Sequence, residues 1–305
     1  MNRPLSIVNA PYPFPTESAA SWIHRVCQLH GLTYKALTSF LGIKACRDPD
    51  VAEPRHFVCF IGLGTGISGK RLQELADVFH AVRLHPPSKT LLNYHDGAPS
   101  YRFCPQCIAT DLVPYLRIEW RFKDWTVCPK HQVKMLERCP HCGAPILGTM
   151  PCLGMSEDYE ALGVGHCTFC ERPLATTTEG YPQTWVSPTK LKVQNAIVSA
   201  VRRGGLRLEG YYWPVSLDFI LWLRDNPELV KSCFERRARC ACPEESKYGL
   251  AYLIDEYGLE RRNKKTAEEI LDLRTARDRK RWATWAEKCY EATIKRQRSH
   301  KGTTP

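Results

Sequence analysis

Four ligand pairs constrain this chain more than any other stretch: Cys104-Pro-Gln-Cys107, Cys128-Pro-Lys-His131, Cys139-Pro-His-Cys142 and Cys167-Thr-Phe-Cys170. A two-residue gap lets one tight turn aim two ligands at a single ion, and two such turns complete the tetrahedron that zinc prefers. The eight ligands therefore specify two closed, saturated sites, structural rather than catalytic. Proline follows the first Cys of three of the pairs and fixes φ in the turn, and Gly143 supplies the positive φ on which such a knuckle often ends. Pairing in chain order gives one site from Cys104, Cys107, Cys128 and His131 and another from Cys139, Cys142, Cys167 and Cys170. A cross-braced pairing gives the same two sets by ligand type, so ligand chemistry does not decide between them; the shorter enclosed loops favour chain order. His166 and Cys152, in the loop 148–166, rank below the paired ligands as substitutes.

The 305 residues, 43% hydrophobic and 25% charged, suffice for two or three small cores. An N-terminus without an apolar run after a basic start, and the lack of any eighteen-residue apolar stretch, argue against a signal peptide and a membrane span. A reducing compartment is expected, with the remaining cysteines scattered as buried thiols; Cys240-Ala-Cys242 is too tight for a knuckle. The net charge of +11 is uneven. In 261–305 fourteen Lys and Arg face six Asp and Glu, whereas in 104–172 seven basic residues face eight acidic ones. Phosphate binding follows local positive charge, so nucleic-acid contacts are expected from the tail, with Arg277, Arg279, Lys280 and Arg281 as the candidates. The knuckles then read as scaffold or protein-docking surface.

Pro11-Tyr-Pro-Phe-Pro15 is an extended lead-in that cannot be helical. Thr16 reads as the N-cap of a helix with Glu17 in its first turn and Trp22, Ile23, Val26 and Cys27 on one face, stopped by Gly31. A second helix, from Thr33, carries Leu37, Phe40 and Leu41 at helical spacing and ends at Gly42. The pair has the shape of a helix-turn-helix, although two packed helices with no nucleic-acid role give the same pattern. Residues 44–66 carry no assignment. Residues 64–71 approach the phosphate-cradling Gly-x-x-x-x-Gly-Lys-[Ser/Thr] loop, but Arg71 stands where a metal-binding hydroxyl is needed. Ser68 is better read as the cap of a third helix bearing Leu72, Leu75, Ala76 and Phe79. The alternation in 116–123 predicts a half-buried strand with Leu116, Ile118, Trp120 and Phe122 inward. Further on, Thr189 caps a helix with Leu191, Val193, Ile197, Val198 and Val201 up to Gly204, and Ser216 opens another with Phe219, Ile220 and Leu223. Helices are also expected at 228–240 and 246–257. From Arg261 a basic helix carries the stripe Trp282, Trp285, Cys289 and Ala292, suited to a core or a homodimer contact.

The order of features adds a resemblance. Pro13-x-Pro15-x-Glu17-Ser18-x-x-Ser21-Trp22-Ile23-x-Arg25, followed by Cys104, Cys107, Asp111, Tyr115, Arg117, Trp120, Cys128, His131, Cys139, Cys142 and Gly143, resembles the TniQ family over roughly the first 170 residues. The resemblance implies a non-catalytic bacterial, hence cytoplasmic, targeting factor with a helix-turn-helix-like domain and zinc modules. Such a factor links a target-recognising component, an attachment site on DNA or a CRISPR RNA-guided effector, to the transposon's AAA+ ATPase. The alternative is a sequence-specific DNA-binding regulator. The expected fold is multidomain and mainly α, with an N-terminal helix-turn-helix-like domain (1–98), tandem zinc-binding modules with short β-strands (99–186), a helical C-terminal domain (187–260) and a basic helical tail (261–305). No Asp/Glu triad, paired-carboxylate site or His-Cys dyad stands out, and the protein is not expected to be an enzyme.

Two sets of four ligands predict about two zinc ions per chain, to be measured by elemental analysis of the purified protein, with strong chelation unfolding residues 104–170. A stoichiometry near zero or one would exclude the two-site reading.

Overall fold

The computed structural model describes residues 9–52, 67, 71, 74, 75, 78–148, 163–175, 188–206 and 215–225, and the chain divides into two compact units, Met1–Val186 and Ser187–Pro305.

In the first unit, α1 (Ala19–Leu29) starts later than expected. Ser18, not Thr16, is its N-cap, with Oγ accepting the Ser21 N–H at 3.1 Å. Glu17 stands before the helix because its buried carboxylate has other partners: the Phe14 N–H at 3.0 Å, the Ser21 hydroxyl at 2.9 Å and Arg25 at 2.6 Å. α2 (Tyr34–Phe40) does begin behind Thr33, whose Oγ1 accepts the Ala36 N–H at 3.1 Å. Trp22, Ile23, Val26 and Leu37 form one core with Ile67 and Leu75. Phe40, expected on the apolar face, is 45% exposed, because Leu37 and Leu41 at i and i+4 already fill the inward side of so short a helix. Of the third expected helix, the described Arg71, Glu74 and Leu75 are helical, and buried Phe79 is instead the N-cap of α3 (His80–Leu84). The remainder of that helix, with most of the glycine-rich run before it, lies outside the described residues.

A 3-10 turn (Pro86–Leu91) leads to β1 (Tyr94–His95) and β2 (Ala98–Tyr101). Asp96 and Gly97, at φ 49° and 72°, close this hairpin with the paired positive φ that an Asp-Gly turn provides. α4 (Pro105–Thr110) follows, and β3 (Ile146–Leu147) pairs antiparallel with β2, Tyr101 opposite Ile146, to give the order β1-β2-β3.

The alternating segment 116–123 is not a strand. Leu116, Ile118, Trp120 and Phe122 are buried as the alternation predicts, but Ile118–Arg121 is a 3-10 turn, flanked by single antiparallel bridges Glu17–Arg117 and Leu92–Phe122. The reason is Arg121, which a flat strand would have pointed at solvent with Glu119 and Lys123. Its side chain is fully buried, 2.9 Å from Asp48 and 3.7 Å from Asp50, with its guanidinium 5.0 Å from the Tyr94 ring centre and 5.2 Å from that of Tyr101. Tyr94 donates to Asp48 at 2.7 Å, Tyr101 donates to Asp50, and Asp50 accepts the Ala20 N–H at 2.9 Å. Burial holds the Asp50 carboxyl above its usual range against the pull of Arg121. For the Arg121 guanidinium, burial acts to lower the pKa, but Asp48, Tyr101 and Asp50 outweigh it and raise it.

In the second unit, α5 (Pro188–Arg203) starts one residue before Thr189, with proline in its first position, where a missing N–H costs nothing. Thr189 is therefore inside the helix rather than its cap. Ala196, Ile197, Ala200 and Val201 are buried, whereas Leu191 and Val193 are only half-buried. β4 (Gly205–Leu206) and β5 (Val215–Ser216) pair antiparallel, a hairpin the sequence reading did not foresee. Ser216 caps α6 (Leu217–Asp225) as expected, accepting the Phe219 N–H at 3.2 Å. The helices expected at 228–240 and 246–257 and the Trp282 stripe lie outside the described residues. Among the described residues no helix is long and apolar enough to cross a membrane.

Breaking a buried ion pair strands its partner, so Arg121→Ala is expected to lower unfolding stability by about 3–5 kcal/mol in urea. Glu74→Ala, which removes the exposed partner of Arg71 at 2.8 Å, should cost less than about 1 kcal/mol. Equal losses in the two variants would contradict the role given to Arg121.

Candidate metal centres

α4 opens at Cys104, whose Sγ accepts the Cys107 N–H at 3.4 Å, and Pro105 in the first position holds the turn that brings both sulfurs to one side. Cys128 and His131 reach the same point from a turn closed by the Cys128 N–H to Val133 carbonyl bond at 2.9 Å. His131 Nδ1 lies 3.4 Å from Cys104 Sγ, 3.4 Å from Cys107 Sγ and 3.6 Å from Cys128 Sγ, and the last two sulfurs are 3.6 Å apart. In the second cluster Cys139 and Cys170 are separated by 3.7 Å, and Cys142 and Cys167 by 3.6 Å. Within each cluster the four ligand atoms lie within 4.8 Å of one another, so each can hold one metal ion, and the grouping follows chain order.

Ligands at the corners of a tetrahedron about a zinc ion stand about 3.8 Å apart for two sulfurs and about 3.5 Å for sulfur and imidazole nitrogen, given metal distances of about 2.3 and 2.0 Å. The observed separations fit that geometry. They are far longer than the ~2.0 Å of a disulfide, and all seven thiols are free. Thiols this close compete for protons: hydrogen bonds with Cys104 and Cys107 draw Cys128 down to about 2, while those with Cys104 and Cys128 drive Cys107 far up. Burial pushes Cys167 up to about 12. A divalent cation is what allows every member of such a set to ionise together.

Three of the four turns share one backbone device. The residue four after the leading Cys has positive φ at Gln132 (55°), Gly143 (73°) and Glu171 (60°), and its N–H bonds back to the carbonyl of Cys128, Cys139 and Cys167 respectively. Only Gly143 advertised this conformation in the sequence. The fourth turn replaces the device with the start of α4. The two clusters differ in exposure: Cys104, Cys107 and Cys128 are at most 2% exposed, whereas in the second cluster Cys142 is exposed and Cys170 half-buried. His166 stands outside the second cluster and lines a small cavity with Ala20, His24 and Leu116. Cys152 and the tail residues Arg277, Arg279, Lys280 and Arg281 lie outside the described residues.

The motif residues upstream meet the knuckle segment directly. Leu116 accepts the Ser18 N–H at 3.0 Å, Thr16 accepts the Ile118 N–H at 2.8 Å, and the Ser21 hydroxyl accepts the Leu116 N–H at 2.9 Å. Above this seam Arg25 lies 4.3 Å over the Phe14 ring, Phe14 stacks on Tyr115 at 4.6 Å, and Arg117 lies 4.4 Å from the Tyr115 centre and 4.9 Å from that of Trp120. Arg117 also pairs at 2.8 Å with Asp111, the residue that ends the helix carrying Cys107. Trp22 donates its indole N–H to the Pro11 carbonyl at 2.7 Å, fixing the extended lead-in. Asp48, Asp50, Tyr94, Tyr101 and Arg121, which complete this joint, carried no signal in the sequence.

These features define a small helical module clamped onto paired Cys/His knuckles, with its most distinctive residues facing one another across the clamp. The TniQ family model matches residues 9–135, the span that contains the clamp and the first metal cluster, and the resemblance read from the sequence holds there. A search of curated proteins found no match to the chain. A TniQ domain over residues 9–135 implies a transposition-associated function.

If positive φ is what closes the knuckles, Gly143→Ala should cost about 1–2 kcal/mol through the backbone alone, since a Cβ there meets nothing within 4 Å. Gln132→Gly, which relieves the same conformation, should be neutral or stabilising. Urea midpoints of the metal-loaded variants test both, and a neutral Gly143→Ala would refute the account.

Proposed function

We propose that this protein is a target-selection adaptor of a bacterial transposon. It joins a target-recognition component, either an attachment site on DNA or a CRISPR RNA-guided effector, to the AAA+ ATPase that recruits the transposase. The observation that carries the reading is the match over residues 9–135 together with what the motif side chains do there. Glu17, Ser21, Arg25, Tyr115, Arg117 and Trp120 all bond or stack with one another or with the seam backbone, which is the work of a scaffold that presents surfaces. Zinc is the metal of both clusters, bound by Cys104, Cys107, Cys128 and His131 and by Cys139, Cys142, Cys167 and Cys170, because thiolate-rich tetrahedral sets select it and saturated ones have no open position for chemistry. With these roles go the domain limits 1–98, 99–186, 187–260 and 261–305 and a cytoplasmic location.

The division of labour follows charge. The basic tail, with Arg277, Arg279, Lys280 and Arg281, supplies contacts to nucleic-acid backbone, and the near-neutral knuckle region with the helices before it docks the ATPase. Removing 261–305 should therefore abolish most salt-sensitive, sequence-independent DNA or RNA binding while leaving capture of the ATPase in a pull-down intact. A deletion that lost the ATPase but kept nucleic-acid affinity would reverse the assignment. Specific duplex binding without any ATPase association would make the protein a DNA-binding regulator instead.

A further inference from the structure

The two metal clusters are built for different chemical exposure. In the first, the three cysteines are buried, at 0–2% exposure. In the second, Cys139 and Cys167 are comparably buried, but Cys142 is exposed and Cys170 half-buried, and the neighbouring Phe169 is 57% exposed. The Cys142 sulfur sits 3.6 Å from that of Cys167, within easy reach of bond formation. A thiolate reacts with oxidants in proportion to its access, and one with a second thiolate beside it is resolved to a disulfide before further oxidation.

We propose that Cys142 is a site of reversible oxidation by hydroperoxides, with Cys167 as its resolving partner, and that the second cluster therefore releases its ion while the first retains its own. The inference rests on the reading of both clusters as zinc sites. The Cys142 sulfur attacks one peroxide oxygen; the S–O bond forms, the O–O bond breaks, and the departing hydroxide takes a proton to become water. The Cys167 sulfur then attacks that of Cys142; the S–S bond forms, the S–O bond breaks, and a second hydroxide leaves as water. The two thiolates lose two electrons in all, and hydrogen peroxide gains them. Two of four ligands are thereby lost to the ion.

The consequence is local and structural. The second cluster ties the turn around Cys167–Cys170 to the turn around Cys139–Cys142, alongside a hydrogen bond between His141 Nε2 and the Pro173 carbonyl at 3.0 Å. Gly165, in the same segment, lies so close to Pro114 that a Cβ there would come within 3.1 Å of its ring. Freeing the tie loosens residues 163–175 from the loop that leads into the Tyr115 stack. Oxidation thus reaches the seam of the module without touching the first cluster.

The test uses the full-length zinc-loaded protein. Metal content is measured first; an ion count other than two indicts the zinc reading and not the oxidation step. Hydrogen peroxide is then titrated with a chromogenic zinc indicator present, and disulfides and alkylated thiols are mapped by peptide mass spectrometry. One ion should leave on the order of tenfold faster than the other, with a Cys142–Cys167 disulfide, reversal by reductant plus zinc, and protection of Cys104, Cys107 and Cys128. Cys142→His keeps a ligand but removes the reacting sulfur; in a variant shown to hold two ions, the fast phase should disappear. Release of both ions at one rate, first reaction at Cys104, Cys107 or Cys128, or an unchanged fast phase in Cys142→His would overturn the proposal.

Discussion

A fully buried guanidinium holds the first unit together. Arg121 has Asp48 and Asp50 beside it and two tyrosine rings against it, the acids from the 48–50 segment and the rings from the β1-β2 hairpin. Asp50 also takes the Ala20 N–H, so the charge of Arg121 is coupled through one carboxylate to the first turn of α1, where an anion is favoured. Removing a cation from water is costly unless its attraction and hydrogen bonds are well matched. The arrangement therefore specifies where the 48–50 segment, the β1-β2 hairpin and the 118–121 turn must meet. A strand at 116–123 would have been compatible with the apolar positions but not with this charge.

The seam beside it uses the same economy of groups. Glu17 serves Phe14, Ser21 and Arg25 at once, and burial raises its pKa while Arg25 and the hydrogen bonds oppose the shift. The Arg25, Phe14, Tyr115, Arg117 and Trp120 column alternates cation and ring, and the Arg117–Asp111 pair connects that column to the helix bearing Cys107. The first Cys/His cluster, the ring stack and the N-cap of α1 are therefore neighbouring parts of one joint.

The two clusters also show how a repeated motif acquires different properties from its surroundings. The ligand spacing is the same in each turn, yet the first cluster is sealed beside α4 while the second exposes Cys142 on a hairpin. On the oxidation proposed above, access rather than ligand spacing separates the two clusters.

The sequence by itself determined the ligand turns, because a Cys-x-x-Cys or Cys-x-x-His spacing encodes its geometry within four residues and needs no distant contact. It determined the second helix and the Ser216 cap for the same reason: capping and helical periodicity are local. It also identified the motif residues through the TniQ resemblance, although not what they touch. Only the tertiary structure decided that Thr16 yields the cap to Ser18, that 116–123 bends into a 3-10 turn, and that Gln132 and Glu171 adopt a conformation for which glycine is the usual signal. For the first two the physical reason is a partner remote in sequence, Leu116 for the backbone of Ser18 and Asp48 and Asp50 for Arg121; the positive φ at Gln132 and Glu171 instead closes a local bond to the Cys128 and Cys167 carbonyls, in residue types that do not signal it. Local propensity differs among such alternatives by about 1 kcal/mol, and a buried charge outweighs it.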